Sequence, residues 1–525
     1  MSTTLPPHLG PQSGTVATDL PPRPPSDDTA FFGHPRGLST LFFTEMWERF
    51  SYYGIRPLLV LFMTAAVFRG GFGFDNKTAG AVVGIYASSV YLSSLPGGFI
   101  ADRLLGLRRS IRLGAILIAL GHIAIALSAL FSRPAFFAGL GLIVVGTGLL
   151  KPNISAIVGD LYPEGGARRD AGFSIFYMGI NTGALIAPLV TGFLGEKVGF
   201  HYGFGAAGVG MIIGVIVFSL RQNKTLGDLG MEPTRHPDAG VQARQEMQMK
   251  VGLGVVAAAL GLFVVLAMTG VIPVNAVAIA ESMRTIMVTL AVVYFAYLFV
   301  LGGLSGDEKK RVAVIIVLFI FATIFWSAFE QAPTSLNLFA RDYTDRTVFG
   351  WEMPATWLQA FNSLFVILLA PVFAWLWVSL ARRGGDLSSP AKFGMGLLFA
   401  SVAFFVMFAA SNIVVHGGGH VRVSPWWLIG SYLLQTFGEL SLSPVGLSSM
   451  TKLAPRKLAG QMMGVWFMAA ALGNLIAGLV GGHVNPENLS EMPALFQQTA
   501  MSLLIASAVI FAMVIPIRKM MANSR

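Results

Sequence analysis

The chain has 525 residues, of which 54% are apolar and only 12% are charged, about half the charged fraction of ~25% found in soluble domains. The charged residues lie in clusters between long apolar runs. This pattern excludes a soluble globular enzyme, a disordered chain and, despite a net charge of +10, a nucleic-acid-binding domain. Cysteine is absent, so disulfides and thiolate chemistry are excluded too.

Fourteen apolar runs are each long enough to cross ~30 Å of hydrocarbon as a helix. Only helices or closed barrels satisfy their backbone hydrogen bonds in lipid, and these runs lack the alternation of barrel strands. The sequence therefore predicts an all-α integral membrane protein with spans at roughly 38–66, 79–103, 110–132, 134–158, 171–195, 203–220, 251–272, 283–304, 312–340, 355–381, 393–415, 426–450, 460–482 and 496–517.

Two polar segments interrupt this pattern. Residues 1–36 are rich in Pro, Ser and Thr, which predicts a disordered N-terminal tail and not a cleavable signal. A polar linker at 222–250 would separate a six-helix bundle at 37–221 from the rest of the chain. Two extra helices at 251–304 and a second six-helix bundle at 305–520 would follow. Both termini and the linker are predicted to be cytoplasmic, because this orientation places about two thirds of the 36 basic residues in cytoplasmic segments.

Two helices contain similar sequences, GALIAPLVTG at 183–192 and GNLIAGLVGG at 473–482, with seven of ten positions identical. Chance similarity between apolar helices is one explanation. The other is a duplicated six-helix half, in which these segments belong to the fifth helix of each half. Parallel repeats of this kind are an architecture of secondary transporters, whose substrate site lies between the halves near the midplane.

The first helix carries four charges, although a charge at the bilayer centre costs about 2.5–3.5 kcal/mol and usually faces a polar interior. At ~100° per residue, Glu45, Glu48, Arg49, Tyr52 and Arg56 form one stripe that would face inward. A local ion pair between Glu45 and Arg49 that only aids packing is the alternative.

Three other helices each contain an isolated charge. Lys151 precedes Pro152 in the fourth helix of the first half. Glu330 lies one turn after Trp326, and Glu439 occupies nearly the position of Lys151 in the second half. A cation and an anion on opposite halves suit a zwitterion, although a direct Lys151–Glu439 salt bridge that closes the cavity is the alternative.

Buried carboxyl groups favour their neutral form, so Glu45, Glu48, Glu330 and Glu439 are candidate proton carriers. A proton gradient would then supply the energy. The sequence offers no nucleotide-binding loop, since GFDNKT at 73–78 lacks the required glycine before its lysine. No catalytic residues, metal or other cofactor are expected, because HExxH, GxSxG and Cys clusters are absent.

Six motifs lie in or beside the predicted helices: ExxERFxYYG at 45–54, GGFIADRLLGLRR at 97–109, GTGLLKPNI at 146–154, FYxxINxG at 176–183, FWSAFEQ at 325–331 and GELSLSPVGLS at 438–448. On these motifs the chain resembles the proton-dependent oligopeptide transporter family of the major facilitator superfamily. The resemblance implies the major facilitator fold, in the bacterial type with two extra helices and 14 spans. It also implies a central peptide cavity.

The resemblance further implies roles for single residues. Proton coupling would involve Glu45, Glu48, Arg49 and Glu330. The carboxylate of the peptide would face Arg49 and Lys151. The amine or the backbone of the peptide would face Asn181, Asn362 and Glu439. Side-chain pockets would be shaped by Tyr52, Tyr53, Tyr91, Trp326 and Trp466. The resemblance also places Arg56 against Glu330 as a gate, and the opposite charges of Lys151 and Glu439 make that pair a second candidate gate.

The predicted function is import of di- and tripeptides together with protons by alternating access. The protein would act as a monomer in the lipid of the bacterial inner membrane, without a nucleic acid partner. Transport of another small zwitterion or anion, such as an amino acid or nitrate, is the alternative. A non-transporting receptor would need an output domain, and an enzyme would need a nucleophile or a metal set; the sequence displays neither.

Overall fold

The protein is described by a computed structural model that covers residues 28–522 apart from 132, 235–237, 270, 272–273, 384–386, 456–457 and 485–487. The helices are α1 (Arg36–Thr64), α2 (Asn76–Ile100), α3 (Leu107–Ala126), α4 (Ser128–Phe131), α5 (Arg133–Asp160), α6 (Gly166–Phe193), α7 (Phe200–Leu226), α8 (Ala239–Met268), α9 (Ala276–Val300), α10 (Gly306–Phe329), α11 (Asn337–Tyr343), α12 (Ala360–Arg382), α13 (Ser389–His416), α14 (Trp426–Leu453), α15 (Ala459–Gly481), α16 (Glu491–Ala512) and α17 (Val514–Ala522).

Shorter elements connect these helices. Turns of 3-10 helix occur at Val67–Arg69 and Ala355–Gln359, and π-helical turns at Ala101–Leu105, Leu194–Val198 and Ala332–Leu336. One small hairpin pairs β1 (Thr347–Val348) with β2 (Trp351–Glu352). Below, the near face of the bundle is the one at which α1 begins, and the far face is the one at which α1 ends.

Within the described residues, twelve helical segments are long and apolar enough to cross a membrane. The helices α1 and α14 lie outside that set but are comparably long, at 29 and 28 residues. Each predicted span overlaps one of these long helices, which confirms the all-α membrane fold. The interpretation of α8 and α9 as an insertion between two six-helix halves stays a prediction.

The structure adds detail to two of the predicted segments. Residues 28–35 belong to the fold and not to a disordered tail, because the Arg168 side chain donates a hydrogen bond to the Asp28 carbonyl oxygen at 2.8 Å. The rest of the predicted tail lies outside the described residues. The predicted linker at 222–250 is largely helical, since α7 and α8 both extend into it.

The span predicted at 312–340 is interrupted near its middle. Helix α10 ends at Phe329, and the chain continues through a π-helical turn into α11. Pro333 lies in that turn and cannot donate a backbone hydrogen bond, which explains why a regular helix does not continue. The break places Glu330 at the end of α10.

Glycines allow α3 and α5 to pack backbone against backbone. A Cβ atom added to Gly121 would lie 2.6 Å from the carbonyl oxygen of Gly139, and one added to Gly139 would lie 2.6 Å from that of Gly121. Gly114 and Gly146 form a second reciprocal pair at 2.5 and 2.6 Å. In lipid, such close approach provides the dispersion contacts that hold helices together.

The contacts of α6 and α15 repeat each other in the two halves. Gly183 of α6 packs against α1, and the matching Gly473 of α15 packs against α10, so each meets the first helix of its own half. At the far face, Gly192 meets the 3-10 turn before α12, while Gly482 meets the start of α2. These paired contacts favour a duplicated half over chance similarity.

We predict that Gly139→Ala lowers the stability of the protein by about 1–3 kcal/mol, since its methyl group forces α3 and α5 apart. The matched control is Gly141→Ala on the same helix, where an added Cβ atom meets nothing within 4 Å. That control should be neutral or should stabilise by up to ~1 kcal/mol, because alanine favours helix. Thermal unfolding in detergent measures both, and equal effects would contradict the packing argument.

Candidate functional site

A cavity of about 240 Å³ lies between the two halves, with α1, α2, α5 and α6 on one side and α10, α12 and α14 on the other. Its polar and aromatic lining includes most of the predicted site residues: Glu45, Arg49, Tyr53, Arg56, Tyr91, Lys151, Asn181, Trp326, Glu330, Asn362 and Glu439. The helices of both halves therefore bring these residues to one enclosed space.

The face of α1 that meets the cavity differs from the predicted stripe by one position. Tyr53 lines the cavity, whereas Glu48 and Tyr52 do not. The centre of the Tyr52 ring instead lies 5.1 Å from the guanidinium carbon of Arg49 and 5.3 Å from that of Arg56, within the range of cation–π contacts. Glu48 is fully buried.

Trp466 of α15 was predicted to shape a side-chain pocket. Its side chain instead packs against α14 and does not line the cavity. It is 7% exposed. Its ring packs against Gly446, where any added Cβ atom would overlap it. The large side chain therefore fills the space that the glycine of the neighbouring helix leaves open.

Two carboxylates surround one guanidinium group on α1. The Nε atom of Arg49 lies 3.2 Å from Glu45 Oε1 and also contacts the Glu48 carboxylate. Among the described residues, one oxygen of each glutamate and one terminal nitrogen of Arg49 lack hydrogen-bond partners. The trio would carry one excess negative charge in a buried place, and a single proton would neutralise it.

Lys151 and Glu439 face the cavity from opposite halves without pairing with each other. The Nζ atom of Lys151 lies 4.5 Å from the centre of the Tyr91 ring. The amide of Asn362 lies 3.5 Å from the Glu439 carboxylate and donates to the Thr436 hydroxyl at 3.0 Å. The direct salt bridge considered from the sequence is therefore not formed, and the two charges remain available to a ligand.

Arg56 and Glu330 form a pair between the halves at the far-face end of the cavity. Their Nη2 and Oε2 atoms are 2.5 Å apart, and both side chains are 7% exposed. The same nitrogen lies 3.4 Å from the Asn474 side-chain oxygen. Beside the pair, Asn337 donates to the carbonyl oxygen of Pro57 at 2.7 Å. The two halves thus meet beyond the cavity at this end.

Besides Ser363, the cavity lining contains polar residues with larger side chains to which the sequence analysis gave no role: Tyr177, Gln359, Tyr432 and Gln435. Each precedes a predicted site residue by three, four or seven positions, a spacing that places side chains on one helix face and could have revealed them. The indole nitrogen of Trp326, the amide nitrogen of Gln359 and the hydroxyl of Tyr432 have no hydrogen-bond partners among the described residues. They are donors that a ligand could use.

A larger groove of about 640 Å³ lies outside the cavity, between α1, α6 and α7 of the first half. Apolar residues such as Trp47, Phe50 and Val190 make up nearly all of its lining. Among the described residues, no Lys, Arg, Asp or Glu lines it. It therefore offers nothing to hold the charged ends of a small zwitterion.

The chain is similar to known transport proteins over nearly its whole length. The sequence profile described as PTR2, POT family, matches residues 108–224 and 302–495. The peptide transporter YePEPT of Yersinia enterocolitica is 48% identical over 501 residues, covering 94% of this chain and 97% of the relative. The di-/tripeptide transporter of Lactococcus lactis is 39% identical over 456 residues, covering 86% and 89%.

Solved structures show the same similarity. A crystal structure of the peptide transporter POT in complex with sulfate is 41% identical with a TM-score of 0.84, covering 94% of this chain and 96% of that one. A crystal structure of a POT family transporter in complex with 5-aminolevulinic acid is 35% identical with a TM-score of 0.83, covering 93% and 98%.

Proposed function

The chain belongs to the POT family, and from this premise we propose that it is a proton-coupled symporter that imports di- and tripeptides by alternating access. Its family and its spans make it a multi-pass membrane transporter and not an enzyme. The observation that carries the proposal is the unpaired cation and anion, Lys151 and Glu439, on opposite walls of the cavity.

A short peptide matches the polar groups of this cavity. Its carboxylate would bind Lys151 and the free nitrogen of Arg49, and its ammonium group would bind Glu439 beside Asn362. Hydrogen bonds with a charged partner contribute about 1.5–3 kcal/mol each. Nitrate carries no ammonium group and would leave Glu439 without a positively charged partner. The relatives named as peptide transporters support the same choice of substrate.

The two carboxylates around Arg49 provide a way to couple protons to peptide. With both Glu45 and Glu48 ionised, the guanidinium charge is more than neutralised, and the site repels a third carboxylate. A proton on either glutamate frees Arg49 for the carboxylate of the peptide. Because such coupling is reciprocal, a bound peptide then also favours the bound proton.

The distribution of basic residues supports one orientation of the protein in the membrane. We place the near face and both termini in the cytoplasm of a bacterial inner membrane, because the basic residues concentrate there. The Arg56–Glu330 pair would close the outer mouth, and a proton on Glu330 would remove most of its attraction. One chain contains the whole cavity, so the proposal needs only a monomer and its surrounding lipid.

Uptake of a labelled dipeptide into proteoliposomes tests the proposal. Accumulation above the external concentration should require an inward proton gradient. Unlabelled di- and tripeptides should compete, whereas single amino acids and nitrate should compete weakly. Accumulation that does not depend on the proton gradient would contradict proton coupling. Strong competition by nitrate or amino acids would contradict the assignment of peptides as the substrate.

We predict that Glu45→Gln or Glu48→Gln abolishes gradient-driven uptake, because the amide cannot carry the proton around Arg49. Exchange of internal for external peptide, which needs no net proton movement, should be reduced far less. Uptake and counterflow in the same proteoliposome preparation measure the two activities. If both variants concentrate dipeptide normally, the assignment of the proton to this helix is wrong.

We predict that Lys151→Ala weakens binding of dipeptides by about 2–5 kcal/mol, since the carboxylate loses a buried charged partner. Analogues with an amidated C-terminus should lose far less, because they have no carboxylate to pair. Inhibition constants against labelled dipeptide uptake measure the difference. Equal losses for the two ligands would mean that Lys151 does not recognise the carboxylate.

We predict that Glu330→Gln opens the far face, because Arg56 loses its opposite charge there. The chain has no native cysteine, so Val60→Cys can report opening. Val60 is 0% exposed and lies one turn beyond Arg56 on the same helix face. Its labelling by an impermeant thiol reagent should rise in Glu330→Gln and much less in Asn474→Ala, which removes only the longer contact of Arg56. Unchanged labelling in Glu330→Gln would refute the gate.

A further inference from the structure

A second contact joins the two halves at the rim of the far face. Glu196 lies in the π-helical turn after α6 and belongs to the first half. Its carboxylate accepts hydrogen bonds from the backbone N–H groups of Ala355 at 2.8 Å and Thr356 at 3.0 Å, and from the Thr356 hydroxyl at 2.8 Å. Those two residues begin the 3-10 turn that leads into α12 of the second half.

Glu196 supplies the cap that α12 does not have in its own half. The residue at the N-cap position is Pro354, and no side chain of that position binds the helix start. Free N–H groups at a helix start carry partial positive charge and favour a carboxylate. Arg346, also of the second half, places a guanidinium nitrogen 4.0 Å from the Glu196 carboxylate.

Among the described residues, every hydrogen bond and ion pair of the Glu196 carboxylate goes to the second half. The side chain is only 12% exposed, so water replaces little of this bonding while the halves stay together. Next to it, the indole of Trp357 donates to the carbonyl oxygen of Leu189 at 3.0 Å. Four hydrogen bonds among the described residues therefore join the end of α6 and the turn after it to the turn that leads into α12.

The duplicated counterpart of this contact is capped differently. At the start of α2, Asp75 is itself the N-cap residue, and it accepts hydrogen bonds from the Thr78 N–H at 2.9 Å and the Thr78 hydroxyl at 2.7 Å. Helix α2 keeps this cap when α15 moves away from it. Helix α12 loses its cap when α6 moves away. The side chain of Asn76 at the start of α2 does donate to the Val484 carbonyl oxygen of the second half, but only α12 receives its cap from the opposite half.

We propose that Glu196 is a positioning residue that holds the far face closed by capping α12 from the opposite half. The proposal rests on the proposed alternating-access function, in which the halves separate at this face. Separation would break three charge-assisted hydrogen bonds at once, and such bonds are about twice as strong as neutral ones. Unlike the Arg56–Glu330 pair, Glu196 does not line the cavity and so acts on the conformational equilibrium alone.

The test compares Glu196→Ala with Asp75→Ala in the Val60→Cys background. Each variant removes a helix cap at the same rim, but only the first removes a bond between the halves. An impermeant thiol reagent is applied from the far face of right-side-out vesicles, without peptide. Labelling of Glu196→Ala should be faster by about tenfold or more, given the strength of hydrogen bonds to charged groups. Labelling of Asp75→Ala should stay within about twofold of the parent.

A second readout separates a conformational role from a structural one. If Glu196→Ala favours the open far face, the KM for dipeptide presented at that face should fall, because more of the protein is competent to bind. Loss of correctly folded protein would lower the maximal rate and leave KM unchanged. Thr356→Val removes one of the three hydrogen bonds and should lower the KM for dipeptide by a smaller amount. This variant replaces Glu196→Ala in the test if Glu196→Ala does not fold.

Two outcomes would overturn the proposal. One is unchanged labelling in both Glu196→Ala and Thr356→Val. The other is an equal increase in Asp75→Ala, which would mean that any lost cap loosens the rim. Dipeptide uptake by the parent protein, measured in the same vesicles, is independent of these comparisons. Its absence would contradict the proposed function, whereas the labelling rates would still decide whether Glu196 closes the far face.

Discussion

Moving an ion from water into a protein interior costs several kcal/mol of free energy unless an opposite charge or hydrogen bonds replace its hydration. In this chain, several buried ions find those partners on the opposite half of the molecule. Arg56 of the first half pairs with Glu330 of the second, and Glu196 binds the start of α12 and Arg346. Any motion that separates the halves must replace these partners with a proton, a peptide or water. In the proposed transport cycle, charge compensation would therefore link ligand binding to movement of the halves.

The packing of the helices complements this arrangement. Within the first half, reciprocal glycine pairs hold α3 and α5 in backbone contact, which favours movement of the half as a unit. Between the halves, α2 and α15 also meet at glycines, where a Cβ atom on Gly478 would overlap Gly84. A backbone surface without interlocking side chains can slide with little loss of contact. Directional bonds at the rim and in the cavity then decide which arrangement is stable.

The sequence predicted the helices and the charged residues of the cavity because lipid restricts both, whereas Tyr91, Asn181 and Asn362 followed only from the family resemblance. A long apolar run has few structures open to it in hydrocarbon, and a charge within such a run must face a polar interior. The sequence could not decide whether Tyr52 or Tyr53 lines the cavity, because helical spacing defines the inward face of α1 only to within one residue. The position of the Trp466 ring could not be predicted either, because it depends on packing against Gly446 of a different helix. Glu196 gave no signal at all, since its partners lie about 160 residues away along the chain.

The most direct test of this account measures protons and peptide together. Proteoliposomes that contain a pH-sensitive dye start with equal pH on both sides, and a dipeptide is added outside. Coupling through the carboxylates around Arg49 predicts that the interior becomes acidic as peptide enters, at a fixed ratio of protons to peptide. Peptide entry without acidification, in vesicles shown to retain a proton gradient, would contradict the central claim that proton and peptide share one cavity and one cycle.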